Sequence, residues 1–304
     1  MQLPLAHTSI AALAAMVLSV ALFTQAYSPA KSDDAVSTRI SISAEGHGPD
    51  VIMIPGLASS AEVWRDEANR LQAHFRVHLV QVAGFAGTPT LGNANPPLLE
   101  PIRDEIVSYI ISHHLNRPVL IGHSMGGLVA MMIADRHPDA ISKVMIVDSL
   151  PFFGLLGNPQ ATVEGVTPVA AQFRDQILSQ SQEQYAQGQV RTMAMLIKSK
   201  GPAAQAALAA AQSSDHEVVA HALFEDWTTD LRPRLPTMSM KIVVLYPFDG
   251  TMGISQDLVD GIYTNAFAGL PNKQLIRIEG SYHFIQIDQP ERFHDEVVKF
   301  LSAP

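Results

Sequence analysis

The sequence lacks cysteine and is poor in charge. None of its 304 residues is a cysteine, which excludes disulfide bonds, a thiolate nucleophile and a cysteine metal site. Only 16% of the residues are charged, whereas 47% are hydrophobic. A chain of this length and composition can bury a sizeable core, as one large α/β domain or two small ones.

Basic clusters are missing as well. The net charge is −9 at pH 7, and no run of lysine and arginine occurs. Proteins that bind nucleic acid need a basic face, and an anionic membrane surface attracts clusters of the same kind. We therefore expect neither of them as a partner of the folded part of the chain.

The N-terminus has a short apolar segment. Residues 10–23 carry no charge, and Thr24-Gln25-Ala26 follows them in a small-x-small pattern. The apolar run is short for a membrane span and typical of a signal-peptide core, although residues 1–9 contain no lysine or arginine. Residues 1–26 are predicted to be a signal peptide, which would make the protein exported, periplasmic or secreted. An uncleaved N-terminal anchor is the alternative and would be its sole membrane contact. Residues 27–37 are predicted to be a linker.

The rest of the chain alternates between short apolar segments and helical patterns. Apolar strands that alternate with helices predict a mostly parallel, doubly wound α/β sheet with helices on both faces. The alternation stops at about residue 151 and resumes after residue 236. Residues 38–150 and 237–304 are therefore predicted to form the core, and residues 151–236 a helical cap. Residues 37–50 are predicted to form short opening strands that end in a turn. The strands that follow are predicted at 51–54, 77–82, 118–121, 143–147, 241–246 and 274–278.

The most informative motif is Gly122-His123-Ser124-Met125-Gly126, between an apolar strand and an apolar helix. Strand, G-x-S-x-G and helix together predict a nucleophile elbow, in which a strained turn exposes the serine hydroxyl. Gly122 and Gly126 are expected because a Cβ at either position has no room. We interpret Ser124 as the nucleophile and His123 as a packing residue.

A nucleophilic serine needs a base and an acid that orients it, in the chain order serine, acid, histidine. His283 is predicted to be the base, because it follows the last strand at the edge of the sheet where Ser124 also lies. For the acid, Asp249 after strand 241–246 is preferred, and Asp148 after strand 143–147 stays open as the alternative. The weaker candidates are Asp257, Asp260 and Asp288.

The oxyanion hole needs two backbone N–H groups. Met125 follows the nucleophile and supplies the first. Leu57, in the loop after strand 51–54, is the candidate for the second.

These motifs resemble the α/β-hydrolase superfamily, in particular its capped, single-domain serine esterase-like members. The resemblance rests on Pro55-Gly56-Leu57-Ala58-Ser59-Ser60, the elbow, Asp249 and Gly280-Ser281-Tyr282-His283-Phe284. It departs from the family pattern in Pro55-Gly56, where many members have His-Gly, and in an acid loop without Gly-x-x-Asp. The resemblance implies an eight-stranded, mostly parallel sheet, a cap between strands six and seven, a Ser124–His283–Asp249 triad, and no metal or cofactor.

The function predicted from these parts is hydrolysis of carboxylic esters with small to medium, uncharged acyl groups, through an acyl-enzyme on Ser124. The partner is then a small ester-like molecule. Four alternatives stay open for the same constellation: an amidase or peptidase, a lactonase, a hydrolase of carbon–carbon bonds, and a ligand-binding member without catalysis.

Overall fold

A computed structural model describes residues 38–303. The predicted signal peptide or anchor at residues 1–26 and the linker at residues 27–37 lie outside the described residues. Within residues 38–303, no helix combines the length and the apolar composition needed to cross a bilayer.

The described residues form a single sheet of seven strands, with ten α-helices around it. In chain order the strands are β1 Ile40–Gly46, β2 Asp50–Ile54, β3 Arg76–Val82, β4 Val119–His123, β5 Val144–Val147, β6 Ile242–Phe248 and β7 Lys273–Glu279. The helices are α1 Arg65–Leu71, α2 Leu99–Ser112, α3 Met125–Arg136, α4 Val163–Leu178, α5 Gln182–Leu196, α6 Pro202–Ser213, α7 His216–Thr228, α8 Gln256–Ala266, α9 Ile285–Asp288 and α10 Pro290–Ser302.

The strand order is β1-β3-β2-β4-β5-β6-β7, and only the pairing of β1 with β3 is antiparallel. The α/β architecture and the mostly parallel sheet are therefore confirmed. The expected number of eight strands is wrong within residues 38–303. The opening segment before β2 forms the single strand β1, whereas more than one short strand was predicted there. The helical segment accordingly lies between the fifth and sixth strands, not between strands six and seven.

Successive residues of β2 enter opposite cores. Val51 and Met53 pack with Trp64 and Phe293 on one face of the sheet. Ile52 and Ile54 pack on the other face, where α2 and α3 contribute much of the core. Because both faces are covered, the central strands are apolar throughout, as a parallel sheet requires.

The segment predicted as a cap contains four α-helices, α4 to α7. Pairs α4–α7 and α5–α6 pack against each other, and α2 and α7 are in contact. Hydrogen bonds also join this segment to the residues that follow β7: the Phe284 N–H donates to the Leu196 carbonyl, and the Lys198 N–H donates to the Asp288 carboxylate. These contacts fix α5 and the link after it beside the loop that follows β7.

Candidate active site

Ser124 occupies a strained turn between β4 and α3. Its φ of 52° and ψ of −126° lie in a region that non-glycine residues rarely adopt. The turn is held by the Ser124 N–H, which donates to the Val147 carbonyl at 3.0 Å, and by the Gly127 N–H, which donates to the Ser124 carbonyl at 2.7 Å. Such strain costs on the order of 1–3 kcal/mol and is concentrated at functional sites.

The glycines around the turn have no space for a side chain. A Cβ on Gly122 would collide with the carbonyl oxygen of Gly126, and a Cβ on Gly126 would collide with the carbonyl oxygen of Ile54. The steric reason predicted for both glycines is confirmed.

His283 lies in the loop after β7, and its Nδ1 is 2.6 Å from Oδ2 of Asp148. The other carboxylate oxygen of Asp148 accepts a hydrogen bond from the Tyr263 hydroxyl. Burial, together with the charge of Asp148, raises the pKa of Tyr263 far above its usual range. The phenol therefore stays protonated and donates to Asp148, and it fixes the carboxylate against the imidazole.

Asp249 does not reach His283, and the predicted pairing of these two residues is wrong in the structure. Its carboxylate accepts a hydrogen bond from Lys198 Nζ at 2.5 Å, from the Thr251 N–H at 2.9 Å and from the Thr251 hydroxyl. The hydrogen bond from Lys198, followed by those from Thr251, lowers the pKa of Asp249 to about 2. Asp249 thus links the segment between α5 and α6 to the end of β6.

Strand register explains why Asp148, the alternative, is the residue that meets His283. His123 of β4 is paired with Val147 of β5, so Ser124 and Asp148 leave neighbouring strands at the same level. Val147 is paired with Leu245, so Asp249 lies three residues beyond that level on the next strand. Three residues of extended chain correspond to about 10 Å. The strand pattern predicted the correct edge of the sheet for both carboxylates, but it did not define that Asp249 lies three residues farther along its strand than the level of Asp148.

His123 is buried and contributes more than packing. Its Nε2 donates a hydrogen bond to the His283 carbonyl at 3.1 Å, and the two rings are 4.6 Å apart. Burial lowers the pKa of His123 well below its usual range, so the ring is neutral near pH 7. A neutral ring that donates from Nε2 positions the loop that carries His283. A histidine next to the nucleophile was visible in the sequence, but its acceptor lies 160 residues away.

The loop with Leu57 passes directly beside the nucleophile. A Cβ on Gly56 would lie 3.0 Å from Cβ of Ser124, so only glycine lets this backbone approach so closely. Met125 is the first residue of α3, where N–H groups have no partner within the helix. Leu57 and Met125 therefore stay the predicted donors of the two oxyanion-hole N–H groups.

A cavity of about 620 Å³ opens above Ser124 and His283. Helices α4, α5 and α7 supply much of its lining, which is mostly apolar and aromatic. Among the described residues, no hydrogen bond joins the Ser124 hydroxyl to His283, although both line this cavity. Such bonds are often long in ligand-free sites and tighten when substrate binds. Residues 38–303 also contain no cluster of three or more side chains suited to hold a metal ion.

Two groups of known proteins are similar to this chain. A pimeloyl-[acyl-carrier protein] methyl ester esterase of Vibrio vulnificus (strain YJ016) is 28% identical over 283 residues, which cover 88% of this chain and 100% of the relative. The same enzyme of Aliivibrio fischeri (strain MJ11) is 26% identical over 267 residues, 85% of this chain and 95% of the relative.

Solved structures share the fold. A hydrolase from Pseudomonas aeruginosa PA01 superposes with a TM-score of 0.71 at 16% identity, over 87% of this chain and 94% of that one. An enol-lactonase from Burkholderia xenovorans LB400 gives 0.69 at 18% identity, over 87% and 96%.

The sequence model of the alpha/beta hydrolase family matches residues 51–296, which include the elbow, Asp148 and His283. This match spans most of the chain, and the relatives in sequence are esterases. The protein is therefore an enzyme of the alpha/beta hydrolase family.

Proposed function

We propose that the protein hydrolyses carboxylic esters with small to medium, largely apolar acyl groups, and that Ser124 forms the acyl-enzyme. The observation that carries this proposal is the 2.6 Å hydrogen bond between His283 and Asp148 beside the strained turn of Ser124. Nucleophile, base and orienting acid occupy one edge of the sheet, as acyl transfer requires.

In the proposed mechanism, the Ser124 hydroxyl attacks the ester carbonyl carbon while Nε2 of His283 takes its proton. Asp148 accepts the hydrogen bond from Nδ1–H and stabilises the imidazolium that forms. The N–H groups of Leu57 and Met125 donate to the carbonyl oxygen as it becomes negative. His283 then gives its proton to the departing alcohol, and a water molecule, activated by the same base, releases the acid.

The character of the cavity supports an ester with an apolar chain. Its walls are formed mainly by aliphatic and aromatic side chains, and its volume suits a ligand of moderate size. The relatives in sequence are pimeloyl-[acyl-carrier protein] methyl ester esterases, which supports the same reaction class.

The test is hydrolysis of p-nitrophenyl esters from acetate to decanoate by the full chain and by Ser124→Ala. We expect turnover that the substitution reduces by several orders of magnitude while the circular dichroism spectrum is unchanged. Ser149→Ala is the matched control, because Ser149 also lines the cavity but lies outside the elbow. Full activity of Ser124→Ala would refute the proposal. A protein that turns over no ester and is not labelled by a serine-directed phosphonate would be a ligand-binding member of the fold.

We also propose that residues 1–26 direct export, on the basis of the apolar segment and the small-x-small pattern. N-terminal sequencing of the protein recovered from a bacterial host tests this. A mature chain that begins at Tyr27 is the expected result, whereas an intact N-terminus in the membrane fraction would indicate an anchor.

A further inference from the structure

The cavity above Ser124 is lined by two carboxylates and, among the described residues, by no lysine or arginine. Asp148 is one of the two, and its oxygens are used by His283 and Tyr263. Asp226 on α7 is the other, and the mechanism does not use it. Apart from its two histidines, the lining therefore offers only acidic side chains of opposite charge to a cation.

Asp226 is 7% exposed and makes no hydrogen bond or ion pair with any residue in the range 38–303. Burial raises its pKa to about 7, and the charge of His283 acts in the opposite direction. A buried carboxyl group without a partner is costly, and native proteins contain few of them. A buried, unpartnered carboxyl group that lines a substrate cavity indicates a partner supplied by the ligand.

A cluster of aromatic rings also lines the cavity. Trp227 is adjacent to Asp226 in the chain, and its ring centroid lies 4.9 Å from that of Phe153 and 5.2 Å from that of Phe173. All three aromatic residues line the cavity. Aromatic faces attract cations, and this attraction increases where water is excluded.

We propose that Asp226 is a specificity-determining residue that receives a cationic nitrogen on the ester substrate, with Trp227, Phe153 and Phe173 forming the wall around that cation. This inference rests on the proposed ester hydrolysis and names the substrate class. It differs from the prediction of an uncharged acyl group, because that prediction was based on the apolar residues of the cap and did not include Asp226.

The charge of the lining favours a substrate with a cationic group over a substrate with an anionic or a neutral chain. An anionic chain would meet two acidic side chains and no lysine or arginine. A neutral chain would leave Asp226 buried without a partner. A cation stabilises the ionised carboxylate and gains contact with the aromatic rings, which are the two features that the cavity combines.

The experiment compares three p-nitrophenyl esters. The first has a hexanoyl chain that ends in trimethylammonium, the second has tert-butyl in place of trimethylammonium, and the third ends in a carboxylate. The first two have nearly the same shape and differ in charge. We expect kcat/KM of the wild type to favour the cationic ester over its neutral isostere by about tenfold or more, and the anionic ester to be the poorest.

Asp226→Asn should abolish the preference for the cation, so that the ratio of kcat/KM for the cationic ester to kcat/KM for the tert-butyl ester falls to about one. Asp175→Asn on α4 is the matched control, because it removes the same charge from an exposed side chain and should keep the preference. Equal turnover of the cationic and neutral esters by the wild type would overturn the inference while leaving ester hydrolysis intact.

A binding measurement keeps the inference separate from catalysis. Hexyltrimethylammonium is titrated calorimetrically into the full chain and into the Asp226→Asn variant. We expect binding by the wild type that is at least about tenfold weaker in the variant. Equal binding by both proteins would overturn the role of Asp226, even if no ester is turned over.

Discussion

Replacing Asp148 by asparagine should nearly abolish turnover, and the structure explains why. The Tyr263 hydroxyl donates to Oδ1 of Asp148, so the amide oxygen of the asparagine stays with Tyr263. The amide nitrogen then faces Nδ1 of His283, which lies 2.6 Å from the carboxylate in the native protein. A donor at this place forces the proton of His283 onto Nε2, where it blocks transfer from Ser124.

We expect kcat to fall by about 10³- to 10⁴-fold, as loss of the correct histidine tautomer does in other serine hydrolases. This loss corresponds to about 4–5.5 kcal/mol of transition-state stabilisation, since each 1.36 kcal/mol changes the rate tenfold. The assay is kcat and KM for p-nitrophenyl butyrate, with thermal unfolding as a check on the fold.

Asp249→Asn is the matched control and should change kcat by no more than a few fold, because its carboxylate contacts Lys198 and Thr251 and not His283. A larger loss in Asp249→Asn than in Asp148→Asn would refute the assignment of the acid. In the Asp148→Asn background, Tyr263→Phe should restore part of kcat, because the amide is then free to turn its oxygen towards Nδ1.

Two further predictions concern stability. Burial raises the pKa of Asp226 to about 7, whereas the same group in the unfolded chain loses its proton near pH 4. The free energy of unfolding therefore decreases progressively as the pH rises from about 4 to about 7. Asp226→Asn should therefore raise the free energy of unfolding by up to about 4 kcal/mol at pH 8, and this gain should vanish towards pH 4. Urea titrations at both pH values measure the gain, and an equal gain at the two values would contradict the argument. Ser124→Gly should abolish turnover and raise the free energy of unfolding by about 1–2 kcal/mol, because glycine adopts φ 52° and ψ −126° without a Cβ penalty. Ser124→Ala should give no such gain, and equal stability of the two variants would contradict the strain argument.

The parallel sheet and the elbow could be predicted from the sequence because local patterns determine them. Apolar strands of four to seven residues alternate with helices, and a glycine is required wherever a Cβ would meet backbone, as at Gly122. The opening segment was harder to predict, since only tertiary pairing decides how many strands it forms.

The acid and the cation subsite depend on information that a single sequence does not carry. Asp148 and Asp249 both follow strands at the same edge, and only the register and the position of Lys198 separate their roles. Asp226 looks like one more polar residue of a cap helix until the packing of α7 shows that it is buried.

The imidazole of His123 couples three loops that are distant in the sequence. Its Nε2 donates to the carbonyl of His283, a methyl group at Gly56 would lie only 2.9 Å from its Nδ1, and its backbone leads directly into Ser124. We therefore expect a displacement in any of these loops to reach the other two through this ring. Substitutions in the oxyanion loop and in the histidine loop should therefore be non-additive in a double-mutant cycle, although neither loop follows the other in the chain.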